Sequence, residues 1–266
     1  MNRWQIKTLK LLVHTLGRLS DGIRIAREHG MVSGKMIDYV YRNRPSGRLL
    51  IGKVFDRIYL SNEGWEAVRI RKRHLEELLE WAIRRQLDAG GDVFILDIAS
   101  GQAKYLQNVL MKFMAERVKA VCWDLDEQWL VEGHEAAAEL GLRSILYDRA
   151  DAFDPRAFAR LPRWPSIVVA SGFYDWIHDD ERIQQSMALV SEAMPPGGCF
   201  LFTLQTGHAD VRLANDIFRG FNGNALAIKI RSPAGVHDWA RAAGFEIEQI
   251  RSDDWHYHTV TLARKR

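Results

Sequence analysis

An α/β architecture is predicted, in which a mostly parallel seven-stranded sheet ends in an antiparallel C-terminal hairpin and is preceded by an N-terminal helical cap. Three observations predict it. From residue 92 onward, short apolar runs alternate with amphipathic stretches, the pattern of a parallel sheet covered by helices on both faces. The last two apolar runs have no helical stretch between them, so they should pair as a hairpin at the sheet edge. Before residue 89 there is no strand alternation, and apolar residues recur instead at helical spacing. The expected organisation is a basic helical cap over residues 1–88 and a sheet domain over residues 89–266.

In chain order, Leu9, Leu12, Val13, Leu16, Leu19 and Ile23 predict an amphipathic helix from Trp4 to Ile25, with Arg3, Lys7, Lys10, His14 and Arg18 on its other side. "YVYRNRPSGRLLIGKVFDRIYL" reads as an Arg- and Tyr-rich connection, and "LSNEG" starts a second helix from Trp65 to about Leu87. The parallel strands are "DVFILD", "KAVCWD", "SILYDR", "SIVVAS" and "CFLFTLQ". Helices between them are expected at "AKYLQNVLMKFMAERV", "DEQWLVEGHEAAAELG", "DPRAFARL" and "DDERIQQSMALVSEAM". Three of these open on an acid able to cap free N–H groups. "GFEIEQIRS" and "WHYHTVTLARK" form the hairpin.

The 266 residues, 47% of them hydrophobic, suffice for a full core. No run of about 18 apolar residues exists, so neither a spanning helix nor a signal peptide is expected, and the cytoplasm is the expected location. Cys122 and Cys199 fall inside strand-like runs, which predicts buried unpaired thiols rather than a disulfide or a metal site. The net charge of +3 is unevenly spread: residues 1–74 hold sixteen Lys/Arg against six Asp/Glu. That surplus suits an anionic partner. The stretch 3–25 has three readings: packing on the main domain, a dimer contact, or a peripheral anchor at the inner membrane face.

In an open parallel sheet, ligands sit at the carboxyl ends of the strands where the order reverses. The first strand–helix turn here is "DIASGQA". A Rossmann-like dinucleotide site needs G-x-G-x-x-G to close on a pyrophosphate, yet only Gly101 is present and Lys104 stands where the last glycine would be. The P-loop sequence G-K-[ST] is absent too. A nucleoside without phosphate asks for less: one glycine, small neighbours and acids for its amine and hydroxyls. Asp97, Ala99, Gly101 and Ala103 meet that need, and Asp124 and Asp151 end the next two strands.

With these residues, the chain resembles the class I S-adenosylmethionine-dependent methyltransferases. The family's first motif stands as "DIASGQA", with alanine at the first and third glycine positions, and its second as "VCWDLD". Its third is "RADAFD", its fourth "IVVASGFYDWIHDD", and "MPPGGCFLFT" precedes and enters the fifth strand. The resemblance covers residues 92–266. "DYVYRNRPSGR", "GWEAVRIRKRHL" and "LQTGHADVRLANDIF" are also similar to a group of bacterial methyltransferases without a defined substrate, some fused behind an α/β-hydrolase domain.

The resemblance implies S-adenosylmethionine as cofactor. Asp97 and Gly101, with Ala99, would hold its methionine end, Asp124 and Leu125 the ribose, Asp151 and Ala152 the adenine, and Ser171 would lie at the fourth strand end. Asp124 has a competing role as cap of the following helix, and Asp126 could exchange with it. Ala99 and Ala103 each add a Cβ that disfavours positive φ. Methyl transfer is an in-line displacement that depends on alignment, with a base for some acceptors. Tyr174 and His178 after the fourth strand, and His208 after the fifth, are the candidates. Tyr41, Arg44, Arg48 and Tyr59 are candidate contacts to a small or lipid-like acceptor with an anionic group. The alternative is a non-catalytic or RNA-directed protein of this fold that binds nucleic acid through its basic N-terminal segment. No RNA-binding module motif is present, and the sequence leaves the oligomeric state open.

Overall fold

The computed structural model describes residues 16–31, 33–207 and 228–266. They fall into two compact units, one ending at Ile70 and the other made of Arg71–Thr206 with Ile228–Arg266.

In the larger unit, β1 (Val93–Ile98), β2 (Val118–Asp124), β3 (Ile145–Arg149), β4 (Ile167–Ala170) and β5 (Cys199–Gln205) are parallel. β6 (Phe245–Ser252) and β7 (His258–Lys265) complete a seven-stranded sheet of order β3-β2-β1-β4-β5-β7-β6. The hairpin folds back so that β7 runs antiparallel between β5 and β6. All seven expected strands are found, and the chain reverses direction across the sheet between β1 and β4. That reversal opens a crevice at the carboxyl ends of these two strands.

β1 is buried at every position because helices cover both faces. One face carries Val93, Ile95, Ala120, Val169 and Leu201 against Leu78, Leu79 and Ile83. These three belong to the long helix Glu63–Asp88, labelled α4 below. The opposite face carries Phe94, Leu96, Val168, Phe200 and Phe202 against Ile183, Met187 and Val190. Apart from Ala120, each such side chain contributes about 1.5–3 kcal/mol when fully buried. Cys122 and Cys199 are free and buried.

The three acids expected as caps act as caps. Asp126, Asp154 and Asp179 accept from the amides of Gln128, Arg156 and Glu181. They start the helices Glu127–Glu139 (α6), Pro155–Ala159 (α7) and Asp180–Glu192 (α8). The helix after β1, α5, is shorter than predicted. It runs only from Lys104 to Leu110, and then turns closed at Val109, Leu110 and Met114 return the chain to β2. An unpredicted helix, α9 (Pro233–Ala242), carries Pro at its start after Ser232, a placement that suits proline's fixed φ.

The smaller unit corrects two expectations. The described end of the predicted first helix is a 3-10 turn, Leu16–Leu19, followed by a new helix α1 (Asp21–His29). Ser20 is extended and its side chain caps Ile23, so a helix cannot run through it. The remainder of the 3–25 stretch lies outside the described residues. The supposed connection is two helices, α2 (Gly34–Arg42) and α3 (Leu49–Leu60), with Asn43 left-handed between them. Ile23, Met36, Val40, Leu60, Trp65 and Val68 form the core of this unit.

A buried carboxylate ties these helices together. Asp56 is fully buried and accepts from the hydroxyls of Ser20 and Tyr39 and from the amides of Gly22, Ser46 and Gly47. Burial alone would push its pKa up, yet these donors hold it below the ordinary carboxylate value. A Cβ on Gly52 would lie 2.2 Å from the Leu19 carbonyl oxygen, so glycine is what lets α3 meet the turn before α1.

Candidate active site

The turn after β1 has an unusual backbone. Ala99, Gly101 and Ala103 take φ values of 51°, 55° and 52°, so two alanines occupy the left-handed region. That conformation costs a non-glycine residue roughly 1–2 kcal/mol. The alanines thus keep the backbone shape that glycine would adopt, at the expense of strain held by the neighbours. At Gly101 a Cβ would be strained by the positive φ and would stand 3.1 Å from the Trp129 ring, a contact tight enough to make that ring give way.

Those neighbours can be named. Asp124 ends β2 and accepts from the Gly101 amide at 2.8 Å and from the Asp126 amide at 3.0 Å. It therefore clamps the turn, while Asp126 takes the capping role that either acid could have filled. The Ser100 amide donates to the Trp123 carbonyl. Gln107 donates to the Gly133 carbonyl and to the Tyr147 hydroxyl. Tyr147 in turn donates to Gln102 at 3.1 Å. Gln107 and Tyr147 lie outside the family motifs, and only the folded chain brings them to the turn.

Asp97, at the inner end of this turn, is fully buried. Neither of its oxygens makes a full hydrogen bond. Burial pushes its pKa up to about 8, with the nearby Tyr105 hydroxyl offsetting this only in part and the charge of Asp124 adding to it. A buried carboxylate without a donor is costly. A cationic group on a ligand would remove that cost.

The other predicted cofactor contacts lie at the adjacent carboxyl strand ends. Leu125 follows β2 and is exposed. Asp151, half-buried beyond β3, accepts from the Phe153 amide at 2.9 Å, and Ala152 beside it is buried. Ser171 follows β4 and is half-buried. The next amide, that of Gly172, donates to Thr203 of β5 at 2.7 Å. Phe153 and Phe173, with ring centroids 5.3 Å apart, join the loops after β3 and β4. Strand order thus sets Asp151, Asp124, Asp97 and Ser171 side by side along one edge.

The catalytic candidates fare differently. Tyr174 is fully buried, its ring packed with Phe173 and Phe202 and its hydroxyl 3.2 Å from that of Ser186 on α8. Burial pushes its hydroxyl pKa up. Tyr174 thus packs as a core residue, with its hydroxyl turned to Ser186. His178 is exposed in the same loop, where its carbonyl accepts from Lys229. His208 lies outside the described residues.

Two further residues hold this loop, Arg231, which sequence reading did not single out, and Asp175 within it. Arg231 is buried and donates to the carbonyls of Tyr174 and Ile177 and to Asp180. Asp175 is buried and accepts from the Gln205 amide at 2.7 Å. Burial raises its pKa, opposed by that amide and by the charges of Arg71 and Arg231. Arg71 is half-buried, and a Cβ on Gly172 would stand 3.7 Å from its Nη1. It brings a guanidinium to the turn after β4.

The acceptor candidates belong to the smaller unit. Tyr41 and Tyr59 are half-buried against its core, and Tyr59 meets Trp65 edge-on at 5.8 Å. Arg44 and Arg48 are exposed around the turn between α2 and α3. Arg69, another of the basic residues here, donates to the Leu60 carbonyl, a packing role.

Residues 1–265 match the model of a family described as "Putative methyltransferase". The chain is 30% identical to "Uncharacterized protein YnbC" of Escherichia coli (strain K12), over 99% of this chain and 45% of that relative, so it spans about half the relative's length. Among solved structures, a possible exported protein from Bordetella parapertussis superposes with a TM-score of 0.71 at 18% identity, covering 96% of this chain and 86% of that one. Magnesium protoporphyrin IX methyltransferase from Synechocystis PCC 6803, solved with bound SAH, does so with a TM-score of 0.58 at 12% identity, covering 90% and 98%. At these identities the structures share the fold with this chain.

Proposed function

The chain belongs to the family described as "Putative methyltransferase", and we propose that it uses S-adenosylmethionine to methylate a small or lipid-like acceptor carrying an anionic group at the carboxyl edge of β1 to β4. The observation that carries the placement is Asp97, a fully buried carboxylate with no full hydrogen bond, beside a turn held at positive φ. Such a group suits the cationic methionine end of the cofactor. When bound, S-adenosylmethionine supplies an electrophilic methyl carbon for in-line displacement.

In this reading Asp97, Ala99 and Gly101 hold the methionine end, Asp124 and Leu125 the ribose, and Asp151 and Ala152 the adenine, with Ser171 at the neighbouring strand end. Asp124 and Asp151 each already accept backbone amides, which fixes their oxygens for further donors. Arg71 supports the anionic acceptor, because it puts a cation beside the turn after β4. Arg44 and Arg48 supply further charge, with Tyr41 and Tyr59 lining their unit. His178 or His208 serves as base where the acceptor carries a proton. The basic stretch 3–25 would favour acceptors at the inner face of a membrane.

Calorimetry with S-adenosylhomocysteine tests the site. Binding should be measurable in the wild type and should weaken by more than about tenfold in Asp124→Ala, which loses both the turn clamp and the ribose acceptor. No binding by the wild type, or equal binding by the variant, would sink the assignment. For the acceptor, label from methyl-tritiated cofactor should move onto anionic small molecules or extracted lipids, and less so in Arg71→Gln.

A further inference from the structure

Helix α3 presents an apolar face to solvent. Leu50, Ile51, Val54 and Ile58 are 82%, 51%, 56% and 66% exposed, and their spacing places them on one side of the helix. The opposite side, Gly52, Asp56 and Leu60, is the one packed in the core of its unit. Exposed apolar side chains are ordinary singly, but a contiguous stripe on an outward helix face marks a docking surface.

Charge beside the stripe selects the partner. Lys53 and Arg57, one turn apart, run alongside it, and Arg44 and Arg48 precede the helix; all four are exposed. Among the described residues none of the four forms an ion pair. Between Arg42 and Ser61 the sole acid is Asp56, and its charge is buried and committed to five internal donors. The face is therefore apolar along its centre and cationic at its edge, with no exposed carboxylate in that segment. An in-plane helix at an anionic bilayer has this make-up, with its apolar side chains below the headgroups and its cations among the phosphates.

We propose that α3 is a membrane-docking helix, through which the protein sits on a bilayer rich in anionic phospholipid. It is distinct from the basic stretch 3–25 and stands whether or not the acceptor is a lipid.

The test is co-sedimentation of the full chain with vesicles of phosphatidylcholine alone or mixed with phosphatidylglycerol. The wild type should bind the mixed vesicles, much less the neutral ones, and added salt should weaken binding. Replacing Leu50, Val54 and Ile58 together by serine should cut binding by more than about tenfold, and Lys53→Glu with Arg57→Glu should do the same by charge. Because all five side chains are exposed, both variants should keep the wild-type melting temperature and S-adenosylhomocysteine affinity. Three results would each overturn the proposal. One is a wild type that ignores mixed vesicles at low salt, and another is a serine variant that binds them as well as the wild type. The third is a wild-type dimer in sedimentation that the serine variant dissolves while vesicles have no effect.

Discussion

Two carboxylates in this chain are equally inaccessible and opposite in state. Asp56, in the smaller unit, has five donors and a lowered pKa. Asp97, in the sheet unit, has no full hydrogen bond and a pKa pushed up to about 8. Neither has exposed surface, but Asp97 lies deeper in the protein and beside the charge of Asp124, so desolvation prevails there, while five donors prevail at Asp56. A satisfied buried acid organises its own surroundings. An unsatisfied one at the carboxyl edge of a parallel sheet is directed at something the chain itself does not supply.

That contrast can be broken from either side. The largest effect is expected for Asp56→Ala, which strands the Ser20 and Tyr39 hydroxyls and three amides. At about 1–3 kcal/mol for each buried donor left unmatched, the smaller unit should lose more than about 3 kcal/mol in urea denaturation. A loss under about 1 kcal/mol would show that the network adds little. Next in size, Gly101→Val forces a branched side chain to positive φ against Trp129 and should lower S-adenosylhomocysteine affinity by more than about tenfold.

Asp97→Asn should act in the opposite sense to Asp56→Ala, with its sign set by pH. In the folded chain Asp97 holds its proton up to about pH 8, whereas an unfolded carboxyl releases it near its ordinary value, about 4. Stability of the ligand-free protein should therefore fall as pH rises through that window. Asn, which cannot ionise, should remove that part of the decline; identical slopes for variant and wild type in melts across the window would contradict the raised pKa. The smallest effect is expected for Ala99→Gly and Ala103→Gly, which relieve left-handed alanines and should each stabilise by up to about 1 kcal/mol. Destabilisation by either would mean that the methyl groups pack more than they strain.

The sheet was legible because doubly covered strands leave continuous apolar runs, and Asp126, Asp154 and Asp179 stand where caps must be. That Asp97, Gly101 and Asp124 are neighbours was legible because one short turn and the next strand end contain them. Other features depend on long-range geometry. The donors to Asp56 come from positions 20 to 47, and nothing local marks them as partners. α3 was hidden because its apolar residues face outward and its buried side includes a glycine and an acid, which inverts the usual pattern. Tyr174 has the right residue type in the right loop, but the direction of its side chain is set by Phe202 and Ser186.

The most direct test of Asp97 as the cofactor's anionic anchor is calorimetric titration of S-adenosylhomocysteine at a series of pH values. For the wild type, affinity should fall about tenfold for each unit below about pH 8, with a proton released on binding as the ligand's ammonium draws Asp97 into its charged form. Asp97→Asn should bind weakly at every pH and release no such proton. Wild-type and variant affinities that coincide across the series would contradict the assignment.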